Sequence, residues 1–263
     1  MGDIVLTGGV NGIGKAVTEL LRAQGQTVCV IDVEGGDIVA DLGTKEGRAY
    51  AVAAVKERFP DGIDGLCCVA GIFAPPSENG RVLSVNYFGT IEICDGLFGL
   101  LKMRHGSCVV TTSGSLLWED RDLYTDLTDA VLSCGEEDRL VRLFDKLSYS
   151  DGHVPYGVSK NALAIWMRRC STEWALQGVR LNAVGPGCIT TRLTTNVPPG
   201  ATVNESFRFT IPMRYHETSA IPPENIAGVY AFLLGEGSVG MTGETLWADC
   251  GQTTYWFTER VGG

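Results

Sequence analysis

The chain has 263 residues, of which 44% are hydrophobic and 20% charged. That composition supports a globular protein with a sizeable core and excludes a disordered or fibrous chain. The 21 basic and 31 acidic residues leave a net charge of −10. Such a surface repels phosphate backbones and anionic lipids, so neither nucleic acid nor a membrane is an expected partner.

The N-terminal Met1-Gly2-Asp3-Ile4-Val5-Leu6 lacks the basic and long apolar regions of a signal peptide. Nine cysteines, odd in number and without C-x-x-C spacing, read as reduced thiols of a cytoplasmic protein. Three dispersed histidines give no metal site.

Ile4-Val5-Leu6 is the first predicted strand, and residues 12–24 place Ile13, Ala16, Val17, Leu20 and Leu21 at helical spacing. Val28-Cys29-Val30-Ile31 is a second strand, ended by Asp32. A helix over 44–58, a strand over 65–69, a helix over 81–103 and a strand over 108–112 follow. After a charged insert at 116–152 come a helix at 154–176, a strand at 179–184, a proline-bearing segment at 188–222, a helix at 223–235 and a strand at 243–248. Strands apolar on both faces, alternating with helices, predict an α/β fold. The expected architecture is one doubly wound Rossmann-type domain, with about seven parallel strands and helices on both faces. The insert and a substrate lid at 188–222 elaborate it.

Thr7-Gly8-Gly9-Val10-Asn11-Gly12-Ile13-Gly14 joins the first strand to the first helix. Glycines there permit a tight turn, and the helix start offers N–H groups to a pyrophosphate. Asp32 closes the second strand, 18 residues after Gly14. A carboxylate at that point accepts hydrogen bonds from both ribose hydroxyls and repels a 2′-phosphate, which favours NAD over NADP. Tyr156 and Lys160 are one helical turn apart on one face. A nearby ammonium can tune a phenol for proton exchange with an alcohol or carbonyl oxygen. The same pair could equally be an aromatic anchor beside a solvated lysine.

Tyr156-Gly157-Val158-Ser159-Lys160, the glycine turn, Val69-Ala70-Gly71, Asn86-Tyr87-Phe88-Gly89 and Pro186-Gly187 stand in the order of the short-chain dehydrogenases/reductases. The sequence resembles that family along nearly its whole length. The resemblance implies hydride transfer with NAD, Tyr156 as acid/base, and Lys160 lowering its pKa while holding the nicotinamide ribose. Ser113 matches the serine that hydrogen-bonds the reacting oxygen, and Asn86 the asparagine that orders a water toward Lys160. The cofactor is expected along Gly8, Asn11, Gly12, Ile13, Gly14 and Asp32, with Ala70 and Gly71 beside it. Asp41 and Leu42 match the pair at the adenine, Ile189 and Thr191 the pair at the carboxamide. The usual asparagine before Ala-Gly is Val69, and the usual Asp-Gly-Gly near the C-terminus is Asp249-Cys250-Gly251.

Most relatives join the serine to the tyrosine by a short stretch, whereas residues 114–155 intervene here. Such an insert resembles the bacterial 3α-hydroxysteroid dehydrogenase/carbonyl reductase subgroup. It is expected to cover a helix face that relatives use for dimerisation, leaving a homo-oligomer (dimer or tetramer) built elsewhere. Phe207, Phe209 and Ile211 either wall a flat ligand or form the buried face of a strand. Leu117 and Trp118 are expected at the pocket mouth, with Ser113 and Tyr156 holding the substrate. Tyr255, Trp256 and Phe257 either cap the pocket or pack at an interface. A small apolar alcohol or ketone, most simply a steroid or bile acid, suits this pocket. A non-steroid carbonyl substrate and a non-catalytic dinucleotide sensor are the alternatives.

Overall fold

In the computed structural model, residues 2–73, 75–114, 121–147, 153–195 and 220–255 are described. The chain runs β1 (Asp3–Thr7), α1 (Gly12–Ala23), β2 (Thr27–Asp32), β3 (Ile38–Val39), α2 (Lys45–Arg58) and β4 (Gly65–Cys68). Then come α3 (Asn79–Leu83), α4 (Gly89–Arg104), β5 (Ser107–Thr111), α5 (Arg121–Ser133), α6 (Glu137–Asp145) and α7 (His153–Leu176). The last elements are β6 (Arg180–Pro186), α8 (Arg192–Thr195), α9 (Glu224–Leu234) and β7 (Thr245–Ala248).

The strands pair in parallel in the order β3-β2-β1-β4-β5-β6-β7. The order reverses between β1 and β4, which opens a crevice at their C-terminal ends. Every residue of β4 and β5 is buried, as a sheet covered on both faces requires. Two apolar cores result. One buries Ala16, Val17, Leu21, Tyr230 and Leu233 of α1 and α9 against one sheet face. The other packs Ala51, Ile93, Leu97, Leu163 and Met167 against the opposite face.

Local chemistry sets the helix limits. The Thr44 hydroxyl accepts from the Gly47 N–H at 3.0 Å and so caps α2. The predicted helix over 81–103 is broken into α3, a π-helical turn over Ser84–Phe88, and α4. β3, which no sequence period announces, adds two residues at the sheet edge beside β2. The remaining element boundaries lie within a residue or two of those expected.

Within the insert, α5 lies on α7 and α6 on α3. Leu127, Val131, Leu140 and Phe144 join the second core. All nine cysteines are free thiols, and Cys29, Cys67, Cys68, Cys94 and Cys108 are buried. Cys94 Sγ sits 3.7 Å from both Cys68 Sγ and Cys108 Sγ. Among the described residues no helix is long and apolar enough to cross a membrane.

Candidate active site

β1 ends at Thr7, and the chain reverses through the glycine turn into α1. Gly8 has φ +74°, and a Cβ there would stand 2.7 Å from the backbone of Ala70. A Cβ on Gly14 would collide with the Gly8 carbonyl oxygen. Both positions therefore need glycine. Asn11 makes no side-chain cap, and the first turn of α1 carries no acidic residue. The leading N–H groups and the positive end of α1 thus border the crevice. The Asp32 carboxylate accepts from the Val10 N–H at 3.0 Å and from the Val33 N–H at 2.8 Å. It shapes the turn as well as facing the cleft.

A cleft of about 460 Å³ runs from this turn to Tyr156 and Lys160. The structure brings Gly8, Asn11, Gly12, Ile13, Gly14 and Asp32 into its wall. Ala70, Gly71, Ser113, Ile189 and Thr191 complete the sequence-expected lining. Ile189 is held by a parallel bridge to Ile221, and a Cβ on Gly12 would meet Thr191 at 3.1 Å. Asp41 and Leu42 are not in that lining. Asp41 instead accepts from Arg81 Nη2 at 3.0 Å and from the Gly43 N–H at 2.9 Å. Burial opposes ionisation of Asp41, but these donors hold its carboxyl below the ordinary value.

At the opposite end, the Tyr156 hydroxyl is hydrogen-bonded to Ser113, which follows β5. Burial pushes the phenol above its ordinary pKa, and the Ser113 hydroxyl acts the other way. Lys160 stands beside this phenol on the same helix. The ammonium lies 5.8 Å from the ring centroid. Lys160 is 3% exposed and donates to the Thr111 carbonyl at 2.8 Å. Burial lowers its pKa to about 8, against a weaker opposing effect of Cys68.

Asn86 lies in the π-helical turn, behind the cleft wall rather than in it. Its Oδ1 accepts from the Ile72 N–H at 2.8 Å, and its Nδ2 donates to the Ile72 carbonyl at 3.0 Å. The space a Gly71 Cβ would fill lies 3.3 Å from Asn86 Oδ1 and 3.4 Å from Lys160 Nζ. A side chain at residue 71 would therefore press on both Asn86 and Lys160.

Sequence reasoning missed Phe73, whose ring sits 5.7 Å from that of Tyr156 at 50° and lines the cleft. Its place just beyond β4, at the C-terminal edge of the sheet, was the available signal. Thr111, which holds Lys160, was also missed. Leu117, Trp118, the lid residues 207–215, Trp256 and Phe257 fall outside the described residues. Tyr255 is described and 39% exposed. No cluster of three or more His, Cys, Asp or Glu among the described residues could hold a metal.

A parallel doubly wound sheet with a glycine turn and a Ser-Tyr-Lys group at its C-terminal edge defines a class of oxidoreductases. Residues 3–117 match the family described as short chain dehydrogenase, and residues 144–253 the one described as Enoyl-(Acyl carrier protein) reductase. The chain is 31% identical to the 3-alpha-hydroxysteroid dehydrogenase/carbonyl reductase of Comamonas testosteroni, over 95% of this chain and 96% of that protein. It is 28% identical to a coniferyl-alcohol dehydrogenase of Pseudomonas sp., over 94% and 95%. The crystal structure of the 3-alpha-hydroxysteroid dehydrogenase from Pseudomonas sp. B-0831, complexed with NADH, superposes with a TM-score of 0.85 at 33% identity, covering 99% of both chains. The protein belongs to the short-chain dehydrogenase/reductase family and is an oxidoreductase.

Proposed function

We propose that the protein is an NAD-dependent dehydrogenase that interconverts a secondary alcohol and a ketone, with a hydroxysteroid or bile acid at the 3-position as substrate. The observation that carries this reading is one cleft joining the glycine turn and Asp32 to the hydrogen-bonded Ser113–Tyr156 pair. The residues fit a dinucleotide. Gly8 and Gly14 leave a cradle that side chains would fill, and the uncapped start of α1 suits a pyrophosphate. Gly8, Asn11, Gly12, Ile13 and Gly14 would hold the phosphates, Asp32 the adenosine ribose, Ala70 and Gly71 the middle of the cofactor, and Ile189 and Thr191 its carboxamide. Bound NAD would supply the hydride acceptor.

The chain's own residues handle the substrate oxygen and its proton. Ser113 and Tyr156 hydrogen-bond that oxygen and stabilise the charge it gains as a ketone is reduced. The raised pKa keeps Tyr156 protonated at neutral pH, ready to donate. Alcohol oxidation needs the phenolate, so its rate should climb on the alkaline side. Lys160 holds the nicotinamide ribose, and Asn86 fixes the loop beneath it. Phe73 offers a flat apolar wall beside Tyr156.

The test follows reduced nicotinamide absorbance with NAD or NADP and epimeric 3-, 7-, 12- and 17-hydroxysteroids. Strong turnover of one 3-epimer with NAD is expected, and Tyr156→Phe should cut it by about 10²- to 10⁴-fold while sparing NADH binding. Silence across the panel with NADH binding intact would favour a non-steroid alcohol, the reading that the coniferyl-alcohol dehydrogenase likeness supports. Asp32→Ala should weaken NAD about tenfold and narrow its advantage over NADP.

A further inference from the structure

The side chain of Arg48, on α2, is only 1% exposed. A lone buried guanidinium is expensive, so its partners are informative. Glu92 of α4 grips it in a bidentate pair, with Nε to Oε2 at 2.6 Å and Nη2 to Oε1 at 3.2 Å. Glu137, the first residue of α6, takes Nη1 at 3.3 Å and also bonds Nη2. The remaining Nη1 contact is a donation to the Leu42 carbonyl at 3.1 Å. Leu42 lies in the loop that leaves β3. That loop begins beside Asp32, because the Ala40 N–H donates to the Asp32 carbonyl at 2.9 Å. Its other side abuts the turn carrying Asn86: a Cβ on Gly89 would meet the Leu42 carbonyl at 3.0 Å, and one on Gly43 would meet Val85 at 3.0 Å. The guanidinium therefore ties together the insert, α4 and a loop wedged between two parts of the site.

We infer that Glu137 of the insert, acting through Arg48, is a positioning residue for the adenosine end of the cofactor cleft. The inference rests on the dinucleotide reading above. Glu137 is not among the residues that line the cleft. It fixes the guanidinium that fixes the Leu42 carbonyl, and so sets how the 40–43 loop presents itself beside Asp32. Insert and cofactor site are then energetically coupled, although Arg48 and Glu137 are 89 residues apart. The nearby Lys45–Asp138 pair, at 2.8 Å, links the same two helices but is solvent-exposed.

The experiment titrates NADH by its fluorescence and displaces it with AMP or with reduced nicotinamide mononucleotide. Glu137→Gln should weaken NADH and AMP about tenfold, the scale of one charge-assisted hydrogen bond, and leave nicotinamide mononucleotide unchanged. Asp138→Asn should change none of the three. NADH and AMP binding unchanged in Glu137→Gln would overturn the inference. So would an equal loss for all three ligands, or an equal loss in Asp138→Asn, since either marks general damage to packing. If Glu137→Gln fails to fold, Glu92→Gln, at a half-exposed partner of the same guanidinium, is read by the same criteria. Failure of the unaltered protein to bind NADH would instead defeat the dinucleotide reading, and this inference with it.

Discussion

Lys160 carries its charge at a cost. Its folded pKa of about 8 lies below the ordinary 10.5, so folding expels a proton between those values. The unfolded chain binds more protons there, and stability rises with pH across that window. Below pH 8 the full penalty applies, on the order of 3 kcal/mol. Lys160→Met should therefore raise the thermal midpoint at pH 7, even after about 1 kcal/mol is lost at the Thr111 carbonyl. That gain should shrink by pH 10 while turnover disappears at both, and calorimetry at the two pH values checks it. Cys250 is a second residue under strain. It holds φ +57°, a conformation that suits the glycine usual at this place in the family. Cys250→Gly should stabilise the protein by about 1 kcal/mol, or roughly 2 °C in Tm. An unchanged or lower midpoint would mean that the lost thiol packing outweighs the relieved backbone.

The insert helices behave as part of the core rather than as an appendage. Phe144 of α6 is fully buried in the cluster that covers the sheet. Phe144→Ala should cost about 3–5 kcal/mol in urea unfolding, in a single transition. A small loss, or a separate early transition, would show that α5 and α6 fold independently. These contacts were not legible in the sequence, because Arg48 and Glu137, or Asn161 and Thr128, meet only through tertiary packing. The main strands were legible because burial on both faces leaves unbroken apolar runs such as Cys108-Val109-Val110. β3 was not, since two residues carry no period. The π-helical turn escaped for a related reason: i→i+5 bonding rotates the helix face without interrupting its apolar run. Within the site, Tyr156 and Lys160 declared themselves by spacing on one helix. Thr111 supports Lys160 through a backbone carbonyl, which no side-chain pattern reveals.

At the largest scale, the described residues form a parallel sheet enclosed between two apolar cores, with five of the nine thiols sealed inside. Those five are spread over β2, β4, α4 and β5, so no single loop movement uncovers them together. Burial also pushes the Cys67 thiol up, away from its reactive thiolate. Alkylation by iodoacetamide under native conditions should therefore stop at four adducts or fewer by intact mass, and reach nine once the chain is denatured. Rapid labelling beyond four would contradict the packing of the sheet. The buried thiols make the protein its own chronometer. The slow appearance of the fifth and later adducts times how often the two cores part, with no probe attached and no substrate required.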